Sequence, residues 1–398
     1  MTAERPGVLM VAGAYYPEVS GAGLQCRALV RQLRENVEFT VLTTTAHPAR
    51  QVADTIDGVP VLRIFVDPSR WWSKAAGAVR FTLLFLKLRR RFAIVHLHGF
   101  SQKSMLFVWL ALAGGKRIAI KLTSVGHDDP ESMRRRGGLA YWCYTRAALF
   151  FVVSPRFVGA GDAAGIPPNR LRLIPNGVDV DRFRPAAPGE RQRLRHELSF
   201  PSGGPVVLFV GFFSREKRPD VLFEAWARVA TSVAPTAGLV FVGATRSTYY
   251  EIEHGLDEEI RARADSRGLR DRLLFVEETH EIERFYRAAD ILVLPSVREG
   301  LPNVVLEAMA SGTPCIVSRL PGVTDSLIED GRNGLLVSPD DVDALAEALR
   351  RLILNAPLLD RLGAAARRTI EERYTLDAVA GQYLAAYRQL LNPERCAA

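Results

Sequence analysis

A chain of 398 residues, 48% hydrophobic and 24% charged, is long enough for two ordinary domains, and its make-up excludes a disordered or fibrous protein. No apolar run reaches about 18 residues, so no transmembrane helix is expected. The formal charge of +8 is unevenly held: residues 1–189 carry 26 Lys and Arg against 13 Asp and Glu, the remainder 26 against 31. A basic half beside a mildly acidic one points to an anionic partner for the first half. Nucleic acid, phospholipid headgroups and a phosphorylated acceptor all fit, as does simple solubility. The absence of alternating aromatic and basic residues argues against nucleic acid.

In chain order, Val8–Tyr16 lacks the layout of a secretion signal and reads as part of a first buried strand, Gly7–Gly13. A helix follows over Gly21–Leu33, with Leu24, Ala28 and Leu29 expected on one face. Further strands are expected at Phe39–Thr43, Val61–Val66, Ile94–Leu97, Arg117–Leu122 and Phe150–Val153. Arg182–Leu194 interrupts both periodicities with two prolines and a glycine and reads as a domain linker. The second half repeats the pattern at Pro205–Gly211, Leu239–Gly243, Leu273–Val276, Ile291–Leu294 and Pro314–Val317. Strands alternating with helices predict α/β architecture: two doubly wound Rossmann-like domains facing each other across a cleft, with ligands off the carboxyl ends of the strands. The expected division is 1–187, 188–375, and a C-terminal helix over 376–398 placed to cross back to the first domain. Cys26, Cys143, Cys315 and Cys396 are scattered, which fits a reduced cytoplasmic protein without structural zinc.

The segment richest in chemistry is Ala289–Gly312, ADILVLPSVREGLPNVVLEAMASG. Its buried strand ends at Pro295–Ser296, and Pro302 lies near the first position of the next helix, where a missing N–H costs nothing. The amides of Gly300, Leu301 and Asn303 are therefore expected to stand free at a helix N-terminus, an arrangement suited to a diphosphate. Glu307, inside an otherwise apolar stretch, is placed to accept from ribose hydroxyls, because an idle charge there is expensive. Glu299 is placed to accept from hydroxyls of a transferred sugar.

The run EGLPNVVLEAMASGTPCIVS resembles the E-x7-E signature of the retaining glycosyltransferases of the GT-B fold, specifically glycosyltransferase family 4. Four other segments agree with it in order: Pro17–Gly23, Ile174–Phe183, Phe209–Trp226 and Gly331–Asp341. The resemblance implies a metal-independent enzyme with no cofactor, moving a sugar from a UDP- or GDP-sugar to a glycan or lipid-linked acceptor without a protein nucleophile. Lys217 matches the lysine that neutralises the donor diphosphate, where a fixed cation lowers the barrier as charge develops on the leaving group. Glu299 matches the carboxylate that orients the sugar, and Glu307 the one that holds the ribose. Gly21 falls in the first-half loop that comes close to the donor phosphate. Where the family usually has an arginine directly after the glycine matching Gly211, this chain has Phe212. Arg215 is one replacement, and a missing second cation is the other reading. Ser20 stands where relatives often carry a further glycine.

The first-half chemical group is the least defined. Relatives place a histidine near Thr123, and His127, with Asp128 and Asp129 at a strand end, forms the candidate cluster here. His96 and His98 share one strand face, and for these two, as for His127, a structural role is an equal reading. The DxD strings Asp179–Asp181 and Asp341–Asp343 are read as structural, the second as a helix cap. Trp71–Phe92 mixes large apolar residues with Lys74, Arg80, Lys87 and Arg89–Arg91, which suits either a packed helix or one lying on an anionic membrane, at its inner face. Two alternatives to a transferase stay open: a sugar-nucleotide epimerase or phosphorylase of related fold, and a nucleotide-sugar-binding protein without activity.

Overall fold

A computed structural model describes residues 5–18, 20–50, 53–245 and 252–392. Val19, within the glycine-rich Pro17–Gly23 segment, and Cys396 lie outside them. The chain forms two compact units: residues up to Gly177 together with those from Leu376 onward, and Val178–Thr375.

The first unit is built on eight strands: β1 (Gly7–Ala12), β2 (Glu38–Thr45), β3 (Ala53–Ile56), β4 (Val59–Phe65), β5 (Ile94–His98), β6 (Arg117–Lys121), β7 (Leu149–Val152) and β8 (Leu171–Leu173). Its helices are α1 (Gly21–Leu33), α2 (Trp71–Leu88), α3 (Gln102–Ala113), α4 (Pro130–Arg136), α5 (Gly138–Tyr144) and α6 (Pro155–Ala163). The strand order is β3-β4-β2-β1-β5-β6-β7-β8, parallel throughout except for β3, which runs antiparallel to β4. Strands such as β1, GVLMVA, are apolar without alternation because helices cover both faces.

The second unit holds α7 (Glu190–Glu197), β9 (Val206–Val210), α8 (Pro219–Ser232), β10 (Gly238–Val242), α9 (Leu256–Ser266), β11 (Leu273–Val276) and α10 (Ile282–Ala288). It continues with β12 (Ile291–Leu294), α11 (Asn303–Ala310), β13 (Cys315–Ser318), β14 (Leu335–Val337), α12 (Val342–Ile353) and α13 (Ala356–Arg373). Its six parallel strands run in the order β11-β10-β9-β12-β13-β14. Trp226 and three phenylalanines, Phe209, Phe223 and Phe241, anchor the core on one face.

The last helix, α14 (Leu376–Leu391), belongs to the first unit, where Val379, Tyr383 and Tyr387 join Cys26 and Leu29 of α1 in one core. That contact corrects the expected helix face. Leu24 is 41% exposed, and the stripe Cys26, Leu29, Val30 and Leu33 is buried instead. Gly23 begins that buried stripe, at a place where a Cβ would meet the Ala14 carbonyl oxygen at 2.6 Å.

The boundary also differs from the expected 187/188. It falls after Gly177, because Val178 already donates to the Tyr374 carbonyl at 2.9 Å. The Arg182–Leu194 stretch is no free linker: the Arg367 guanidinium donates to the Phe183 carbonyl at 2.7 Å and Arg191 donates to Asp290 at 3.3 Å, binding it to the second unit. Among the described residues, Cys26, Cys143 and Cys315 are free thiols, and no helix is long and apolar enough to cross a membrane.

Candidate active site

In the second unit the strand order reverses between β9 and β12, the point where doubly wound sheets open a crevice off their carboxyl ends. The loop after β9 passes Gly211 and tightens into a turn in which the Lys217 amide donates to the Ser214 carbonyl and hydroxyl oxygens at 3.1 and 3.3 Å. Arg218, at φ 53°, then delivers the chain into α8 with Pro219 in its first turn. The loop after β12 is sewn to this turn: the Val297 amide donates to the Glu216 carbonyl at 2.8 Å, and Arg298 pairs with the Glu216 carboxylate. The two loops bring Lys217 Nζ to 2.6 Å from Glu299 Oε1. With the Glu299 side chain 8% exposed, the pair is held in a largely desolvated place, where charge–charge attraction is stronger than in water.

Eight residues beyond Glu299, Glu307 lies on α11 and its Oε2 accepts from the Tyr286 hydroxyl at 2.8 Å. Burial pushes its carboxyl up to about 7, against the Tyr286 hydrogen bond and the Arg182 charge, with Glu283 adding to the rise. Gly300 and Leu301 are buried in the bend that precedes the helix. Pro302 is the N-cap and Asn303 the first helical residue, so Gly300 and Leu301 lie just before the helix rather than in its first turn.

Gly211 has φ +157°, and its neighbour across the sheet, Gly243, has φ +151°. A Cβ on Gly243 would lie 1.9 Å from the Gly211 carbonyl oxygen, so only glycine lets the ends of β9 and β10 come this close. Arg215 is exposed and meets Glu253 at 3.5 Å, an ion pair that occupies the cation offered as a replacement for the one missing at Phe212.

In the first unit, Gly21 opens α1 after Ser20, whose hydroxyl accepts from the Gly23 amide at 3.0 Å. Serine at that position is thus a helix cap. His127 sits partly buried in the loop after β6, and its two acidic neighbours are engaged by the backbone of that loop. Asp128 Oδ1 accepts from the Ser124 amide at 2.8 Å, and Oδ2 accepts from the Thr123 amide and hydroxyl at 3.0 and 2.8 Å. Burial nevertheless raises its carboxyl to about 6. Asp129 caps α4, accepting from Ser132 at 3.0 Å and from Gly126 at 2.5 Å. Both carboxylates build the loop, since short acidic side chains bond nearby backbone amides as readily as they serve chemistry. His96 and His98 are buried on β5 with ring centroids 4.7 Å apart, and His96 Nδ1 lies 2.6 Å from the Tyr387 hydroxyl, a core position. The DxD carboxylates are engaged as well: Asp179 accepts from the amides of Asp181 and Arg182 at 3.2 and 3.0 Å, and Asp341 caps α12.

Three residues escape sequence reasoning. Tyr286 lies 21 positions from Glu307, with no local spacing to betray the bond. Ser296, buried at the carboxyl end of β12, has a hydroxyl with no hydrogen-bond partner among the described residues. Lys103 Nζ donates to the Ala12 carbonyl at 2.9 Å and the Thr44 hydroxyl at 3.2 Å, and burial lowers it to about 8.

Comparison with known families agrees with this geometry. Residues 190–369 match the model for glycosyl transferases group 1, and residues 20–177 match the glycosyl transferase 4-like domain. The chain belongs to glycosyltransferase family 4. A D-inositol 3-phosphate glycosyltransferase of Acidothermus cellulolyticus is 35% identical to this family 4 chain over 248 residues. The match takes in 60% of the chain and 52% of that relative, so the chain spans about half the relative's length. A second, from Xylanimonas cellulosilytica, is 28% identical over 393 residues, covering 91% of the chain and 89% of that relative. The crystal structure of Anabaena Alr3699/HepE in complex with UDP and glucose superposes with a TM-score of 0.78 at 18% identity, covering 96% of this chain and all of that one. The fold of this family 4 chain is GT-B.

Proposed function

We propose that the chain is a retaining hexosyltransferase that holds a UDP- or GDP-sugar off the carboxyl ends of β9 and β12 and passes the sugar to a glycan or lipid-linked acceptor. The observation that carries the reading is the Lys217–Glu299 pair, 2.6 Å apart at the point where the strand order reverses. The Lys217 ammonium is balanced by Glu299. A bound diphosphate takes over that role, which leaves Glu299 to accept from hydroxyls of the sugar. As the bond from the anomeric carbon to the phosphate oxygen breaks, its electron pair leaves with the nucleoside diphosphate, and Lys217 stabilises the added charge. The acceptor oxygen forms the new bond on the same face, and its proton passes to the departing phosphate oxygen. Glu307 receives the ribose hydroxyls in place of the Tyr286 hydroxyl. Every step uses side chains alone, with no metal and no cofactor. UDP is the first nucleotide to test, in view of the UDP complex of the Anabaena neighbour.

A phosphorylated polyol is a second acceptor class, favoured by the relatives named for inositol phosphate and by the excess positive charge of residues 1–189. The cellular setting that suits a lipid-linked acceptor is the cytoplasmic side of a membrane. Glu299→Ala decides between a transferase and an inactive binder. Turnover falls about 10²–10³-fold while nucleotide affinity is largely kept, and an unchanged rate sinks the assignment.

A further inference from the structure

We infer that the helical layer formed by α2, α3 and α5 docks flat on an anionic lipid bilayer. The inference stands on this surface alone and does not depend on sugar transfer. Helix α2 has two apolar stripes. One, through Gly77, Phe81, Phe85 and Leu88, is buried in the first unit. The other, through Trp72, Val79, Leu83 and Leu86, follows the same helical spacing and faces outward, with Leu83 62% exposed. A surface helix with a single function needs only the first stripe.

The exposed apolar surface continues from helix to helix. Helix α3 packs against α2 on one side and α5 on the other. Trp109 of α3 stacks on Trp142 of α5 with ring centroids 5.0 Å apart, and both rings stay open to solvent. Four of the five tryptophans, Trp71, Trp72, Trp109 and Trp142, thus lie on this layer, and the fifth, Trp226, is buried in the other unit. Amphipathic indoles are suited to the boundary between headgroups and acyl chains.

Charge selects the occupant. Residues 68–127, which supply α2 and α3, contain eleven Lys and Arg and not one Asp or Glu. Arg80, Lys87 and Arg89–Arg91 are exposed along and just beyond the outward stripe of α2, and Arg134–Arg136 are exposed at the end of α4 beside α5. A second copy of the chain would bring two such basic faces together, so self-association is opposed. An anionic bilayer answers both features, taking the indoles and aliphatic groups into its interface and the bases onto its headgroups.

The test is co-sedimentation with phosphatidylcholine vesicles with and without phosphatidylglycerol, followed by tryptophan fluorescence. The wild-type chain is expected to pellet only with the anionic vesicles, less so as salt rises, with a blue shift in emission. Leu83→Glu with Leu86→Glu lowers partitioning at least about tenfold, and Arg90→Ala lowers it about fivefold. All substituted positions are exposed, and thermal melts confirm that the variants fold. A wild-type chain left in the supernatant at low salt overturns the inference, as does a double variant that pellets like wild type. Retention on immobilised polyglutamate without vesicle binding would put an acidic protein on this face and overturn it equally.

Discussion

In the proposed reaction, Lys217, Glu299 and Glu307 divide the donor chemistry among three side chains. Lys217→Ala removes the cation that meets the leaving diphosphate and is expected to lower kcat about 10²–10³-fold, measured at saturating donor. Glu307 gives a pH signature. Its folded carboxyl, at about 7, stands above the 4.5 of an unperturbed glutamate. The folded state therefore keeps a proton that the unfolded chain releases, and this contribution to stability is present below pH 4.5 and lost as pH rises through about 7. Binding runs the other way, because the ionised carboxylate is the better acceptor for ribose hydroxyls. Nucleotide affinity is expected to tighten as pH rises through about 7, and Glu307→Gln flattens that profile in a titration series. Glu299 and Glu307 were legible because they flank a turn between a strand and a helix, and Lys217 only through the family motif it matches. Tyr286 was not, since a hydrogen bond across 21 residues leaves no mark on local pattern. The loop-building bonds of Asp128 and Asp129 were hidden for the opposite reason: carboxylates that cap and turn the chain are the same residue types as those that do chemistry.

Among the elements, the meeting of β9 and β10 and the loop after β6 are the most sharply constrained. Gly243→Ala sets a methyl 1.9 Å from the Gly211 carbonyl oxygen at φ +151° and is expected to cost about 3 kcal/mol, read from a denaturant melt. Asp128→Ala strands two backbone amides and the Thr123 hydroxyl. The expected loss is about 3 kcal/mol, with Asp128→Asn losing less because one acceptor oxygen remains. The long strands were readable from unbroken apolar runs such as VVLFV. The edge strands β3, β8 and β14 were not, because ADTI, LRL and LLV are three or four residues long and lack a period to detect. Leu24 was grouped with the buried Leu29 because the partner that decides the inner face of α1, α14, lies more than three hundred residues away in sequence.

At the scale of the whole molecule, both Rossmann-like units were legible from the repeated strand–helix pattern, but the seam between them was not. Prolines and a glycine in Arg182–Leu194 read as a linker, whereas hydrogen bonds from Arg367 to Phe183 and from Arg191 to Asp290 hold that stretch to the second unit. The central claim is that the second unit holds a nucleotide-diphosphate sugar through Lys217, Glu299 and Glu307. Thermal stabilisation by UDP-, GDP- and ADP-sugars tests it most directly. The account predicts that one UDP- or GDP-sugar stabilises the wild-type chain by about 2.7 kcal/mol at a hundred times its Kd, and that Lys217→Ala largely abolishes the shift. A wild-type chain whose melting temperature is moved by none of these sugars would contradict it.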